Sequence, residues 1–527
     1  MVWDQGRALA RIQRFKESVP QGGIVVTDFT RYLSERRVMK ASREPAEDRL
    51  AILHVPRNRA ITTHGAHVYA NLMDFNSILE DAGRETEASH QRALELLHTH
   101  YSACDTLIDE FDIQRVDFHG SRLHAVVLTP EGEQNEPERI RKAISFAAAF
   151  REMAARLSAD FPEFETRVRV GIDSGPAVAI DSGKRDEPDP LFIGSPANHA
   201  AKLADGDEEG IFLSLRVQRV RDQNTPFTFT ALAKAIETGF MHEHVSARGQ
   251  TLDADMLLAK AYLDFESEMK RRASSELPSD AKFRFHHREP PLKEIVFAEH
   301  PPSNAIRMLL ASIFADIDGF TAYVDHAIQS GNVAQAVANL HVLRAEMAAV
   351  LRDDFGGRKV RFIGDCVHGL LAEGNSRETN ALDTIRSVVK AAGGLRSSFE
   401  LCKLALPGIA ELGLAIGIDF GPTPICRIGL RGAASVRTAS SRATCVSESE
   451  QRRCGGTETA LGEKAYEAAP AVVRQIFGTE RVVANMDFDA SVMLLGTMPS
   501  PYVSSVAAEP MRAHAPVAEP MRAHTKL

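Results

Sequence analysis

Apolar residues recur at three-four spacing through "ERIRKAISFAAAFREMAARLSA" and "NVAQAVANLHVLRAEMAAVLRDDF", a period that predicts long amphipathic helices. Between such stretches stand short apolar runs, "RVRVGID" and "GLAIGID", that read as strands. Helices alternating with short strands predict an α/β or α+β chain and exclude a plain helical bundle.

The pattern also recurs on a larger scale. "VYANLMDFNSIL" at residues 68–79 and "SIFADIDGFTAYV" at 312–324 share one hydrophobic skeleton, with Asn71 standing where the second has Asp316. From Asn71 to Ser121 in "RVDFHGSRLHAVV" is 50 residues, and from Asp316 to Asp365 in "VRFIGDCVHGLL" is 49. From Gly120 to Gly171 is 51 and from Gly364 to Gly417 is 53, so three elements return in one order at nearly one spacing. This predicts two copies of one domain, at 55–220 and 300–500. Residues 1–54 are then an N-terminal extension. Residues 221–299 are a helical and linker region containing the polar, proline-bearing "SSELPSDAKFRFHHREPPLKE", whose His286 and His287 read as solvated. "AEPMRAH" occurs twice within 501–527, which predicts a disordered repeat tail.

Composition narrows the partners. At 527 residues the chain is too long for a single core, and 44% hydrophobic with 25% charged residues is the balance of a globular protein. A net charge of -9 offers no basic stripe for a phosphate backbone, so no nucleic-acid partner is expected, and a small anionic substrate would need metals or local arginines. The six cysteines show no CxxC pairing, the first twenty residues lack a secretory pattern, and no run approaches about eighteen apolar residues. Reduced thiols, a cytoplasmic setting and no membrane span are the expectation.

The candidate chemistry lies in copy two. Asp316 is expected at a strand end and Asp365 at a hairpin tip, because "KVRF" and "CVHGLL" are apolar arms around Ile363 and Gly364. Two carboxylates on neighbouring strands make a hard oxygen site suited to Mg²⁺ or Mn²⁺, with substrate phosphates completing the shell. The "DGFT" turn offers backbone N–H groups opening a helix, a phosphate cradle. Each acid alone reads as a turn cap, but the set is more specific. "FADIDGFT", then "IGD", then "GIDFG" closely resembles the class III nucleotidyl cyclases over residues 300–470, and over 55–220 in degenerate form.

That resemblance implies an α+β fold: two tandem class III cyclase-like domains, each a ferredoxin-like βαββαβ core, forming an intramolecular pseudo-heterodimer with a helical linker. It implies two metal ions, Mn²⁺ or Mg²⁺, on Asp316, Asp365 and the backbone carbonyl of Ile317. Nucleotide contacts would come from Phe314, Gly319, Phe320 and Thr321, and from Asp117 and Leu191 in copy one. Copy one, through "LFIGSPANHAAKLA", matches the family's Asn and basic residue at Asn198 and Lys202, the pair expected to act on ribose and triphosphate. Lys202 departs from the family's usual Arg, a point charge in place of a bidentate fork. The matching stretch of copy two, "GAASVRTASSRATCVSESEQ", has no clear Asn. The losses are therefore complementary, and one live site and one dead one are expected.

Adenine-specific members carry a Lys and an Asp where this chain has Asp117 and Leu191, so adenine is disfavoured. "HGAHVYANLMDFN", "SHQRALELLHTHYSACDTLI" and "PPSNAIRMLLASIFADIDGFTAYVD" resemble the pyrimidine cyclases of the Pycsar antiphage systems. By that resemblance the chain is a uridylate cyclase that turns UTP into cyclic UMP and diphosphate in antiphage defence, its product acting on a separate cyclic-nucleotide-binding effector. A cytidylate cyclase, a purine cyclase with an altered pocket and a silent nucleotide sensor stay open. So does a homodimer through the second copies, with Arg361, Arg437 and Arg442 on phosphate.

Overall fold

Among the described residues, strands gather into two sheets. The first holds β1 (Val25–Asp28), β2 (Arg59–Leu72), β3 (Gln114–His119), β4 (Arg122–Val127), β5 (Val168–Asp181), β6 (Pro190–Ile193) and β7 (Gly210–Leu213). The second holds β8 (Phe285–His286), β9 (Ala305–Asp318), β10 (Arg358–Ile363), β11 (Cys366–Leu371), β12 (Gly413–Ile428), β13 (Val436–Ala439), β14 (Glu458–Leu461) and β15 (Val482–Ala484). Their orders correspond: β3-β4-β2-β5-β6 with β7 on β5, and β10-β11-β9-β12 with β13 and β14 on β12. This is a computed structural model that describes residues 2–19, 23–39, 52, 55–160, 167–181, 190–223, 252–274, 283–429 and 435–496. The repeat tail expected at 501–527 lies outside them.

Mixed helix and sheet is the class that the periodicity predicted. The strands at "RVRVGID" and "GLAIGID" run further than their apolar runs suggested. They continue past a Gly-Pro, with Pro176 opposite His64 on β2 and Pro422 opposite Leu309 on β9. The glycine of each "GID" has a steric reason. A Cβ on Gly171 would strike the backbone of Ala200 and Ala204, and one on Gly417 the backbone of Ser447 and Gln451. Only glycine lets the helices Ser195–Leu203 and Arg442–Arg452 lie that close to their sheets.

The far ends of these long strands explain why the two sheets form one body. Val178, Ile180, Leu191 and Ile193, from β5 and β6, are buried in the same apolar cluster as Ile313, Ile317 and Ile416 of the second sheet. Reciprocally, Cys426, Ile428 and Val436, from β12 and β13, are buried with Ala66 and Val68 of the first sheet and with Tyr101 of the helix Glu87–Glu110. The stretch read as a linker is structured where it is described: Phe283 is buried, β8 pairs in parallel with β9, and His287 Nε2 meets the Asn375 carbonyl at 3.0 Å.

The helix Gln5–Ser18 packs against the second sheet's helices, although it precedes the first sheet in the chain. Its Ala8 and Ile12 enter that core. Arg11, only 6% exposed, donates to Glu346 at 3.1 and 2.7 Å and to Asp354 at 3.0 Å. Both acids are buried; Asp354 keeps Arg7 at 3.2 Å, but Arg11→Met leaves Glu346 with only the Ser398 hydroxyl and no cation, and is expected to cost about 3 kcal/mol. Urea denaturation of the variant measures this, and a loss within about 0.5 kcal/mol would show that the triad does not hold the helix.

Candidate active site

β9 ends at Asp318, and Gly319, at φ 83°, turns the chain into the helix Phe320–Ser330. β10 and β11 are joined by Gly364, at φ 63°, and Asp365, a two-residue hairpin turn. The β9–β11 register sets Ala315 against Val367, which brings Asp316 and Asp365 to the same corner. Both are half-buried. Burial, then Asp318, pushes the Asp316 carboxyl up to about 6, while Arg452 pulls it down. Burial, then Asp316, raises Asp365 well above the usual carboxylate range.

Among the described residues no side-chain hydrogen bond or ion pair engages Asp316 or Asp365, whereas the buried Glu346 and Asp354 are both paired. Two unpartnered carboxylates, each raised by a neighbouring acid, mark a place short of positive charge. The donor set fits a divalent cation: two hard oxygens, with the Ile317 carbonyl between them in sequence. No group of three or more His, Cys, Asp or Glu able to hold a metal occurs among the described residues. The shell would therefore need oxygens from a ligand.

The opposite wall comes from copy one. The helix Ser195–Leu203 begins after Gly194 with Pro196 in its first turn, a favoured start. Its Ser195 N–H donates to Asp325 at 2.9 Å, and the Ser195 hydroxyl bonds the same carboxylate. The Asn198 amide donates to the Thr321 hydroxyl, in the turn that follows Asp316. The structure thus brings Asn198 and Thr321 together. Lys202 lines a cavity of about 700 Å³ with Arg169, His199, Asp205, Arg216 and Asp325. It makes no ion pair among the described residues.

The counterpart corner in copy one is built differently. Ser121 Oγ donates to Asn71 Oδ1 at 3.1 Å, a neutral pair with nothing for a cation. Arg122, the next residue, bonds Glu448 at 2.7 Å and Asp205 at 2.8 Å, His119 meets Glu448 at 3.0 Å, and Arg452 meets Asp205 at 3.0 Å. Against the upward pull of burial, His119 and Arg122 hold Glu448 well below the usual carboxylate range.

Other expected contacts are placed otherwise. Leu191, 7% exposed, is a core residue where the two sheets meet, because it lies on the strand end that enters the other copy. Phe314 is buried and stacked on His368, with ring centroids 4.3 Å apart, and Phe320 is buried in the second core. These three side chains pack, and only their backbones are left for a ligand. Asp117 accepts from Arg361 at 3.1 and 3.0 Å, whereas Arg115 pairs with Asp105 and Arg122 with Glu448. Arg361 and Arg442, raised as phosphate ligands of a second-copy dimer, are engaged: Arg442 meets Glu80 at 3.1 Å. Sequence reasoning missed Asp325, Glu448, Arg452 and Asp205. Only Asp205 and Arg452 carried a signal, opposite charge at matched positions of the copies.

The adenylate and guanylate cyclase catalytic-domain family matches residues 67–239, the copy without the two acids. The chain is 46% identical over 484 residues to a uridylate cyclase of a Rhizobium species, covering 90% of this chain and 92% of that protein. It is 32% identical to a uridylate cyclase of Pseudomonas aeruginosa, over 94% of this chain and 91% of that one. A solved structure from Pseudomonas aeruginosa, described as a class III adenylyl cyclase-like ATP-binding protein, is similar with a TM-score of 0.79 and 30% identity, covering 94% of this chain and 100% of its own.

The raised pair has a sign that can be checked. A carboxyl at about 6 in the folded chain and about 4 unfolded binds more protons when folded, so it costs stability as pH rises through that window. A bound divalent cation reverses the cost. Millimolar Mn²⁺ is expected to raise the melting temperature at about pH 7.5 and hardly at about pH 5, and Asp365→Asn is expected to remove the gain while stabilising the ion-free protein. An equal ion effect at both pH values would contradict the assignment.

Proposed function

The chain belongs to the class III nucleotide cyclases, and on that footing we propose that it is a uridylate cyclase whose single live site lies between Asp316 and Asp365 of copy two and Asn198 of copy one. One observation carries the reading: the copy-one helix reaches the first turn of the helix that follows Asp316, where the Asn198 amide bonds Thr321. In the reaction the 3′-hydroxyl oxygen of UTP bonds to the α-phosphorus, the bond to the β-phosphate bridging oxygen breaks, and the hydroxyl proton leaves, giving cyclic UMP and diphosphate. Two Mg²⁺ or Mn²⁺ ions, when bound, activate the hydroxyl and neutralise the phosphates.

The chain's own residues hold the geometry. Asp316, Asp365 and the Ile317 carbonyl hold the ions. Backbone amides from Gly319 to Thr321, at the start of an 11-residue helix, face phosphate oxygens. Nucleotide entry replaces the Asn198–Thr321 bond, freeing that amide for the ribose, and Lys202 supplies charge to the triphosphate. Asp117 and Arg361 offer an acceptor beside a donor, which matches the N3–H and O4 of uracil. The resemblance to pyrimidine cyclases supports a product that acts on a separate effector in antiphage defence. A second reading, an adenine nucleotide in the cleft, draws on the related structure described as ATP-binding.

Incubation with Mn²⁺ and each of the four ribonucleoside triphosphates, with products identified by mass, is expected to yield cyclic UMP above the other three. Asp316→Ala and Asp365→Ala should each lower turnover at least about 10²-fold without altering the circular dichroism spectrum. A variant of Asp365 that cyclises at a near-normal rate would sink the metal assignment.

The base reading is tested separately. Asp117→Asn adds a donor where uracil needs an acceptor, so the ratio of cyclic UMP to cyclic CMP from equal UTP and CTP is expected to fall. An unchanged ratio at undiminished rate means that the base is read elsewhere.

A further inference from the structure

Two copies of one domain related by a twofold set any residue on the axis against its own counterpart. Counterparts here can be fixed without regard to charge. In the hairpins, Asp117 faces His124 and Arg361 faces His368, each after the same register irregularity. In the helices, Gly171 lies against Ala200 and Ala204 as Gly417 lies against Ser447 and Gln451. The residues that follow Ala204 and Gln451 are Asp205 and Arg452. Both counterpart pairs touch. Arg361 Nη1 donates to both Asp117 oxygens at 3.1 and 3.0 Å, and Arg452 Nη1 donates to Asp205 at 3.0 Å. Off the axis, the contact of Ser195 with Asp325 is repeated by Arg442 with Glu80, the same helix start on the same partner helix region.

We infer that these two axial ion pairs are a pairing code, acid on copy one and arginine on copy two, that admits copy one against copy two and rejects either copy against its like. Copy two facing a second copy two sets Arg361 on Arg361 and Arg452 on Arg452. Copy one facing copy one sets aspartate on aspartate twice. The Arg361 side chain is 6% exposed and the Asp117 side chain 39%, so a like pair there leaves the buried guanidinium with no counter-ion and a second positive charge against it. The Asp205 and Arg452 side chains are 37% and 41% exposed, and their share of the discrimination is smaller. The code bars the copy that holds both acids from pairing with itself, and so forces every assembled site to include the Asn198 helix.

The test uses full-length chains. One variant, D117R/D205R, carries arginine at all four axial positions, and the other, R361D/R452D, carries aspartate at all four. Each alone is expected to melt at least about 5 °C below the parent chain, since its internal pairing now repels twice. Co-expressed with different affinity tags, the two are expected to co-purify as a stoichiometric complex, because copy one of each attracts copy two of the other. Neither should co-purify with the parent chain to the same extent. The exchanged chain D205R/R452D should recover more than half of the melting loss of D205R. The inference is overturned if both variants melt with the parent chain, if no mixed complex forms, or if the exchanged chain melts no higher than D205R.

Discussion

The whole molecule depends on one exchange: each long strand leaves its own sheet's core and finishes in the other's. The ends of β5 and β6 put Val178, Ile180, Leu191 and Ile193 into the second core, and β12 and β13 put Cys426, Ile428 and Val436 into the first. Each such aliphatic side chain stabilises the assembly by about 1.5–3 kcal/mol when fully buried. Neither copy can withdraw without exposing them. The contact between Asn198 and Thr321 therefore sits on a seam closed by core packing.

A symmetric frame then makes the chemical asymmetry legible. At one corner, among the described residues, no ion pair engages the two carboxylates, although Arg452 lowers Asp316 through its charge. At the other, Ser121 and Asn71 satisfy each other, and Arg122, Glu448, Arg452 and Asp205 form a closed network of opposite charges. The second corner needs no ligand to be stable. In the first, burial and repulsion among the acids make the ionised pair costly. A single fold thus holds a corner whose acids have no side-chain partner among the described residues beside one in which arginine and glutamate are already paired.

Much of this was readable from the chain. The spacing of Asn71 and Ser121 against Asp316 and Asp365 located both corners, because hairpin and strand lengths fix where acids can meet. Leu191 could not be read, since its surroundings belong to a sheet more than a hundred residues away. Asp117 was expected at the nucleotide, and its pairing with Arg361, across the two copies, had no local signal. Charge pairs across a pseudo-twofold show in sequence only after the two copies are aligned position by position, and the helix bearing Arg452 has few matching residues to align. The packing of Gln5–Ser18 on the second copy had no signal at all: its partners Glu346 and Asp354 look like ordinary helix-surface acids.

That helix bears on the site through the backbone. Arg11 holds Asp354 in the wide last turn, Val350–Asp354, of a helix that leads into β10 and its Asp365 turn. Leu351 of the same turn packs on Gly369 of β11 so closely that a Cβ there would collide with it. The hairpin is thus set from behind by packing and a buried ion triad, without any side-chain partner spent on Asp365 itself among the described residues. Positioning a carboxylate through its backbone leaves its oxygens free, and free oxygens are what a hard divalent cation needs. The same logic runs through Asp316, placed by thirteen consecutive register pairs between β9 and β12. Rigid strands supply the precision, and among the described residues no side-chain partner commits the carboxylate oxygens.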